Sequence, residues 1–106
     1  KECALAKRYI DSNYSQNITL DSLAEITHIN KFYLAHSFTE CVGQSPINYL
    51  TDRRLEACKE LLVSSNLSVA QVATSVGFSS QSYFSQIFRK KTGMTPRQYR
   101  SRYARK

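Results

Sequence analysis

Several residue types that build familiar kinds of site are scarce in this chain. Its 106 residues include three glycines, three cysteines, two histidines and no tryptophan. None of the glycines belongs to a phosphate-cradling loop, so we expect no nucleotide site. The odd number of cysteines and the lack of CxxC spacing argue against a disulfide framework and a zinc site. We expect free thiols in a reducing cytoplasm, without a metal or other cofactor. No apolar run approaches the roughly 20 residues that a membrane-spanning helix needs.

Acidic residues are missing from the last part of the chain. Residues 67–106 contain eight Lys/Arg and no Asp/Glu, whereas residues 1–66 contain seven Lys/Arg and all eight Asp/Glu. The two parts therefore carry net charges of +8 and −1, which together make the formal charge of +7. This asymmetry favours a polyanionic partner, either nucleic acid or an acidic membrane surface. The alternative is a solvated basic face that keeps the protein soluble.

Helix signals run along the whole chain, and no strand-like alternation occurs. We predict an all-α fold of seven helices, at about residues 2–14, 20–26, 31–42, 46–64, 69–75 and 80–92, and from residue 96. Six of the starts have a capping residue, twice followed by proline: Thr19, Asn30, Ser45-Pro46, Ser68, Ser79 or Ser80, and Thr95-Pro96. The apolar residues expected to be buried are Leu5, Tyr9 and Ile10 in the first helix, and Ile47, Leu50, Leu55, Leu61 and Leu62 in the fourth.

One helical unit occurs twice. In the stretches "FYLAHSFTECVGQSPINY" and "SYFSQIFRKKTGMTPRQY", the residues Tyr33, Phe38, Gly43, Pro46 and Tyr49 match Tyr83, Phe88, Gly93, Pro96 and Tyr99. The preceding halves align at an offset of 49, so the second copy has one extra residue in its turn or helix start. Each unit is a short helix, a tight turn and a longer helix, with Ala24 or Ala73 where the helices approach closely. His28 and Gly77 occupy the turn, where a residue that tolerates positive φ is needed. This is a tandem helix-turn-helix pattern.

The segment "RLEACKELLVSSNLSVAQVATSVGFSSQSYFSQIFRKKTGMTPRQYR", residues 54–100, resembles the signature region of the AraC/XylS family of bacterial transcription regulators. The residues that carry this resemblance are Arg54-Leu55, Leu61-Leu62, Ala73, Val76-Gly77-Phe78, Tyr83-Phe84-Ser85, Phe88, Gly93, Pro96 and Tyr99. It implies two helix-turn-helix subdomains, residues 1–44 and 66–106, joined by a linker helix at 45–65. It also implies that both second helices bind the major groove of double-stranded DNA, and it makes RNA polymerase a possible partner. Because the chain starts with lysine, we expect a piece of a longer protein. The resemblance implies that a sensor or dimerisation domain precedes this piece.

Helical geometry separates a core face from a DNA-facing side in each second helix. Leu34 and Phe38 should face the core in one, as should Phe84, Ile87 and Phe88 in the other. The expected base contacts on the opposite faces are Phe32, Ala35 and His36, and Gln81, Ser82, Ser85 and Gln86. Gln86 suits a bidentate pair with adenine, and Phe32 and Ala35 suit a thymine methyl. The expected phosphate contacts are Lys31, Thr39, Arg89 and Lys90. As alternatives, Phe32 folds back onto a neighbouring helix and His36 is an ordinary surface residue.

The predicted fourth helix is long enough to separate two reading sites. About 20 residues at 1.5 Å each span roughly 30 Å, close to the ~34–36 Å of one DNA turn. We therefore expect both second helices to enter successive major grooves of a non-palindromic site. The rival functions are a helical protein-interaction module and binding to a membrane surface through the basic residues 97–106. An enzyme is not indicated, since no local signature links a nucleophile, a base and an orienting residue.

Overall fold

The structure, a computed structural model, describes residues 2–104, and of Glu2 only the backbone. Within this range it contains seven α-helices and no strand, so the all-α prediction is confirmed. The helices are α1 (Glu2–Asn13), α2 (Leu20–Thr27), α3 (Lys31–Val42), α4 (Pro46–Ser64), α5 (Val69–Ser75), α6 (Gln81–Thr92) and α7 (Pro96–Tyr103). None of these helices is both long and apolar enough to cross a membrane. Arg105 and Lys106, the end of the basic stretch 97–106, lie outside the described residues.

The predicted capping residues begin the helices. Thr19, Ser68 and Thr95 each accept from the backbone N–H three residues on, and the side chain at that position accepts from the cap's own N–H. This reciprocal arrangement satisfies two N–H groups that a helix start otherwise leaves without a partner. Ser80, rather than Ser79, caps α6 by accepting from the N–H of Tyr83 at 3.1 Å.

Two residues expected in the core are exposed instead. Leu5 is 40% exposed, while Ala6 and Ile10 are fully buried. Leu5 lies one position, or about 100°, away from Ala6, so it falls outside the narrow stripe that α1 buries. Ile47 is 41% exposed because the inward positions of the first turn of α4 are occupied by Pro46 and Leu50, one helical turn apart.

The chain divides into two compact units, the first ending at Arg53 and the second beginning at Arg54. The first unit has a core formed by residues from α1 to the start of α4: Ala6, Ile10, Ile18, Leu23, Leu34, Phe38 and Leu50. Its side is closed by a polar cluster in which Asp11 accepts from the Tyr49 hydroxyl at 2.6 Å and from Arg53 Nε at 2.9 Å. This cluster ties α1 to the beginning of α4 within the first unit.

The second unit is organised around a row of aromatic rings. Phe78, Phe84, Phe88 and Tyr99 follow one another with ring-centroid distances of 5.2, 5.7 and 5.5 Å. Tilted and edge-on ring pairs of this kind contribute about 0.5–1.5 kcal/mol each beyond the apolar area that they bury. Arg100 donates from Nε to the carbonyl of Leu62 at 2.9 Å and so ties α7 to the last turns of α4.

Candidate nucleic-acid interface

The two helix-turn-helix turns have the same hydrogen bonds at an offset of 49 residues. In the first turn the N–H of His28 donates to Glu25 and that of Ile29 to Ala24, at 3.3 and 3.1 Å. In the second, Gly77 donates to Thr74 and Phe78 to Ala73, at 3.1 and 3.0 Å. His28 has φ 59° and Gly77 has φ 108°, so the predicted positive-φ positions are confirmed.

The extra residue of the second copy is Ser79. Ile29 corresponds to Phe78 at an offset of 49, whereas the caps Asn30 and Ser80 correspond at an offset of 50. The inserted residue therefore lies between the turn and the helix start, where it leaves both hydrogen-bonded structures intact.

The ends of α3 and α6 are also built alike. Gly43 and Gly93 end the helices in the left-handed conformation and donate to Thr39 and Arg89 at 2.9 and 2.8 Å. Behind each helix a phenylalanine meets the edge of a tyrosine. The Phe38–Tyr49 and Phe88–Tyr99 centroids are 5.8 and 5.5 Å apart. Two equivalent scaffolds thus hold two helices whose outer faces differ in sequence.

The outer face of α3 presents an exposed aromatic ring. Leu34 and Phe38 are fully buried, as predicted, and Phe32 is 72% exposed. The alternative in which Phe32 folds back onto a neighbouring helix is therefore wrong. Its ring lies beneath the Lys31 ammonium, 5.5 Å from the ring centroid. Asn30 Oδ1 accepts from the N–H groups of Phe32 and Tyr33 at 2.9 and 3.2 Å, which fixes the first turn that carries this ring.

The other expected contacts on α3 have partners within the first unit. Lys31 Nζ lies 2.9 Å from a carboxylate oxygen of Asp21, and His36 Nε2 lies 3.3 Å from Glu40. Thr39 Oγ1 donates to the carbonyl of Ala35 at 2.8 Å. The lysine, the histidine and both acidic side chains remain substantially exposed, so these contacts are weak. Ala35 itself is partly buried.

The outer face of α6 is polar and then basic. Phe84 and Phe88 are fully buried as predicted, and Ile87 is partly buried. The predicted contacts Gln81, Ser82, Gln86, Arg89 and Lys90 are exposed, and Ser85 is partly buried like its counterpart Ala35. Within residues 2–104 neither Arg89 nor Lys90 has a carboxylate partner.

The basic residues of α6 occupy its last turn, where they also stabilise the helix. Arg89, Lys90 and Lys91 face the negative end of the helix dipole, an effect of about 0.3–1 kcal/mol for each exposed charge. The last turn of α3 has no basic residue. The difference in charge between the two matched helices, expected from Thr39 and Glu40 against Arg89 and Lys90, is thus present on their surfaces.

Two tyrosines that match between the copies of the repeat are surface residues. Tyr33 and Tyr83 occupy matched positions in the first turns of α3 and α6 and are 56% and 51% exposed. The ring of Tyr83 lies 6.1 Å from that of Phe78, and the guanidinium of Arg54 lies 5.7 Å from the same Phe78 ring. Burial lowers the pKa of Arg54, which nevertheless remains charged. These tyrosines were not among the predicted DNA contacts, although they adjoin Phe32 and Ser82, which were. Their occurrence in both copies favoured a structural role over a surface role.

These features define a tandem helix-turn-helix domain. A family model described as a helix-turn-helix domain matches residues 23–102. The chain belongs to the helix-turn-helix family of AraC/XylS-type transcription regulators, as its resemblance implied.

Two solved structures are similar over nearly the whole chain. The C-terminal domain of AraT, a response regulator from Geobacillus stearothermophilus, is 36% identical with a TM-score of 0.95, and the match covers 99% of this chain and 88% of that one. A DNA-binding transcriptional dual regulator from Escherichia coli K-12 is 29% identical with a TM-score of 0.83, covering 96% and 97%.

Among curated relatives, the bifunctional transcriptional activator/DNA repair enzyme AdaA of Bacillus subtilis is 34% identical over 96 residues. The match covers 91% of this chain but 46% of AdaA. The chain thus spans less than half the length of AdaA and 39% of the length of a second B. subtilis relative, a regulator that is 40% identical over 93 residues.

Proposed function

We propose that this domain binds double-stranded DNA in a sequence-specific way, with α3 and α6 in successive major grooves. The observation that carries the proposal is the pair of equivalent scaffolds, with matching turns, caps and aromatic supports, which hold two exposed helix faces of different sequence. Because α3 and α6 have the same scaffold but different exposed side chains, the domain is suited to bind two DNA segments of different sequence. The DNA-binding regulator of E. coli that this chain resembles supports the same function.

The two faces are proposed to read bases differently. Phe32, with Ala35 beside it, contacts a thymine methyl, and His36 donates to a base acceptor after leaving Glu40. On α6, Gln86 pairs with adenine, while Gln81, Ser82 and Ser85 contact neighbouring base edges. These assignments rest on exposure and helical position.

The phosphate contacts are proposed to be concentrated in the second unit. Arg89 and Lys90 form no ion pair with a carboxylate within the described chain, so they can bind phosphate directly. Lys31, in contrast, must first break its ion pair with Asp21. Thr39 offers only a hydroxyl, whose proton is already donated to Ala35. Salt-sensitive affinity should therefore come mainly from α6.

The organisation implied by this function has three parts. Residues 1–44 form the first reading subdomain, residues 45–65 the linker helix, and residues 66–106 the second reading subdomain. We propose that the domain acts in the cytoplasm, by binding and not by catalysis. We also propose that it is part of a longer regulator, in which a sensor or dimerisation domain precedes it and which contacts RNA polymerase. Its match to AdaA, a bifunctional protein, involves the helix-turn-helix portion.

Selection of bound sequences from a random duplex pool, at a stated salt concentration, tests the proposal. Two enriched blocks about ten base pairs apart are expected, because that spacing equals one helical turn of DNA. Hydroxyl-radical footprinting on the selected duplex should then protect the backbone sugars that flank two consecutive major grooves on one face. A footprint confined to one groove would refute the two-helix mode. No enrichment at all would favour a protein-interaction module.

A further inference from the structure

The exposed tyrosines of α3 and α6, Tyr33 and Tyr83, have hydroxyls that the fold does not use. Within residues 2–104 neither hydroxyl has a hydrogen-bond partner. Tyr49, in contrast, donates its hydroxyl to Asp11 at 2.6 Å and so supports the first unit. The hydroxyls of Tyr33 and Tyr83 are therefore available to an acceptor outside the protein.

The helix caps fix the backbone of both tyrosines. Asn30 Oδ1 accepts from the N–H of Tyr33 at 3.2 Å. Ser80 Oγ accepts from the N–H of Tyr83 at 3.1 Å. The ring of Tyr83 is also held, because the ring of Phe78 lies 6.1 Å from it. Both side chains thus leave the first turn of their helix from a defined point.

The two tyrosines lie at the edge of the outer helix faces and not at their centre. At about 100° per residue, the direction opposite the buried phenylalanines of α6 falls at Gln86, and Tyr83 lies about 60° to one side. The same relation holds on α3 between His36 and Tyr33. When a helix enters the major groove, the centre of its outer face meets base edges, whereas its edges approach the backbone beside the groove. The position of both tyrosines therefore favours backbone contact.

A cation lies on the side of α6 that carries Tyr83. The guanidinium of Arg54 lies 5.7 Å from the centroid of the Phe78 ring, which also contacts the ring of Tyr83. No acidic residue occurs in residues 67–106. A hydrogen bond to a charged acceptor is stronger than one to a neutral acceptor. An anionic acceptor therefore suits the Tyr83 hydroxyl.

We propose that Tyr33 and Tyr83 each donate the phenolic hydroxyl to a DNA phosphate, an inference that rests on the proposed DNA-binding function. Tyrosine hydroxyls are among the groups that bind phosphate oxygens in protein–DNA complexes. Because the hydroxyl carries no charge, each contact adds affinity without neutralising a phosphate, and so without releasing a counterion. Tyr83 should contribute more than Tyr33, because its ring is already held and loses less freedom on binding.

The variants Tyr83→Phe and Tyr33→Phe remove only the hydroxyls. On a duplex selected by the parent chain, Tyr83→Phe should lower the association constant roughly tenfold, as expected for one hydrogen bond to a charged group. Tyr33→Phe should lower it by a smaller factor. The slope of log K against log salt concentration should equal that of the parent in both variants, unlike in Arg89→Ala. Fluorescence anisotropy at several salt concentrations measures both quantities.

Tyr103→Phe is the matched control, because Tyr103 is 46% exposed but lies on α7. Its affinity for the duplex should equal that of the parent. Urea unfolding should give the same midpoint for the parent and for the variants of α3 and α6, because the lost hydroxyls have no partner within the described chain. A loss of affinity in these variants then reports a contact with DNA and not a change in stability.

Methylphosphonate linkages, placed one at a time in the duplex, locate the acceptor. Each linkage makes one phosphate neutral. At the phosphate that Tyr83 contacts, the linkage should weaken the parent more than Tyr83→Phe, because the variant has already lost that contact. At other positions it should weaken both proteins equally.

Unchanged affinity in either variant overturns the assignment of that tyrosine. A changed base preference of Tyr83→Phe in a repeated selection also overturns it, because the hydroxyl would then contact a base. In both cases the parent still binds its selected duplex, so the proposed function stands. A parent chain that selects no sequence would overturn both the proposed function and the tyrosine contacts.

Discussion

Removal of Arg89 and Lys90, two of the three exposed cations in the last turn of α6, gives a quantitative test of the DNA interface. Within residues 2–104 neither Arg89 nor Lys90 has an acidic partner, so each is available to neutralise one phosphate without first breaking an ion pair. Each neutralised phosphate contributes a slope of about −0.9 to log K against log salt concentration. Arg89→Ala and Lys90→Ala should each flatten that slope by about 0.9.

The corresponding change in affinity is large enough to measure. Over a fourfold rise in salt, a slope change of about 0.9 corresponds to about 3.5-fold in the association constant. Each variant should therefore lose about 3.5-fold more affinity, relative to the parent, at 50 mM than at 200 mM salt. The double variant should show about a 12-fold difference. Fluorescence anisotropy on a selected duplex, at four or more salt concentrations, measures the slope directly.

A competing explanation is that these cations only stabilise the helix end. In that case each substitution lowers the free energy of unfolding by about 0.3–1 kcal/mol through the helix dipole and leaves the salt slope unchanged. Urea unfolding of the same variants separates the two effects. Arg97→Ala is the matched control, because Arg97 is exposed but lies on α7, outside the reading face. An unchanged slope in the double variant would refute the assignment of α6 as the phosphate-binding helix.

Three further predictions concern the scaffold. Gly43→Ala and Gly93→Ala should each lower the free energy of unfolding by about 1–2 kcal/mol in urea denaturation, because the backbone at these positions has φ of 94° and 81°. An added Cβ would meet no atom within 4 Å, so the cost comes from the backbone and not from a steric clash. Equal stability of the variants and the parent would contradict this reasoning. Tyr49→Phe should cost about 1 kcal/mol in the same assay because Asp11 loses a donor, whereas Tyr99→Phe should be nearly neutral. Burial, followed by the hydrogen bond to Asp11, raises the pKa of Tyr49, so its stabilising contribution is complete below about pH 10 and disappears as pH rises through the folded pKa. Unfolding midpoints between pH 8 and 11.5 should therefore fall less steeply in Tyr49→Phe than in the parent; parallel curves would argue against this titration.

Local signals predicted most of the helical framework correctly. Thr19, Ser68 and Thr95 cap their helices because a side-chain oxygen three residues from a free N–H is a short-range interaction that needs no tertiary support. The positive φ of His28 followed from its alignment with Gly77, since repetition carried the turn geometry from one copy to the other. Both inferences depend on a few adjacent residues.

Burial was less predictable where a helix offers more apolar residues than its neighbour covers. Leu5 and Ile47 are apolar, yet both are exposed, because Ala6 and Pro46 occupy the inward positions beside them. Helical spacing also could not predict whether Phe32 is exposed. It gives the side of α3 on which Phe32 lies, but not whether a neighbouring element covers that side. Exposure of that ring depends on the packing of the first unit.

The number of helices, their caps, the duplicated turn and the concentration of positive charge after residue 66 can all be predicted without a structure, because they depend on composition and on short-range periodicity. The pairing of Lys31 with Asp21, and the lack of a carboxylate partner for Arg89 and Lys90 within residues 2–104, become visible only in the folded chain. Such pairings join residues distant along the chain or on different helices, so their formation depends on how helices pack and not on any local pattern.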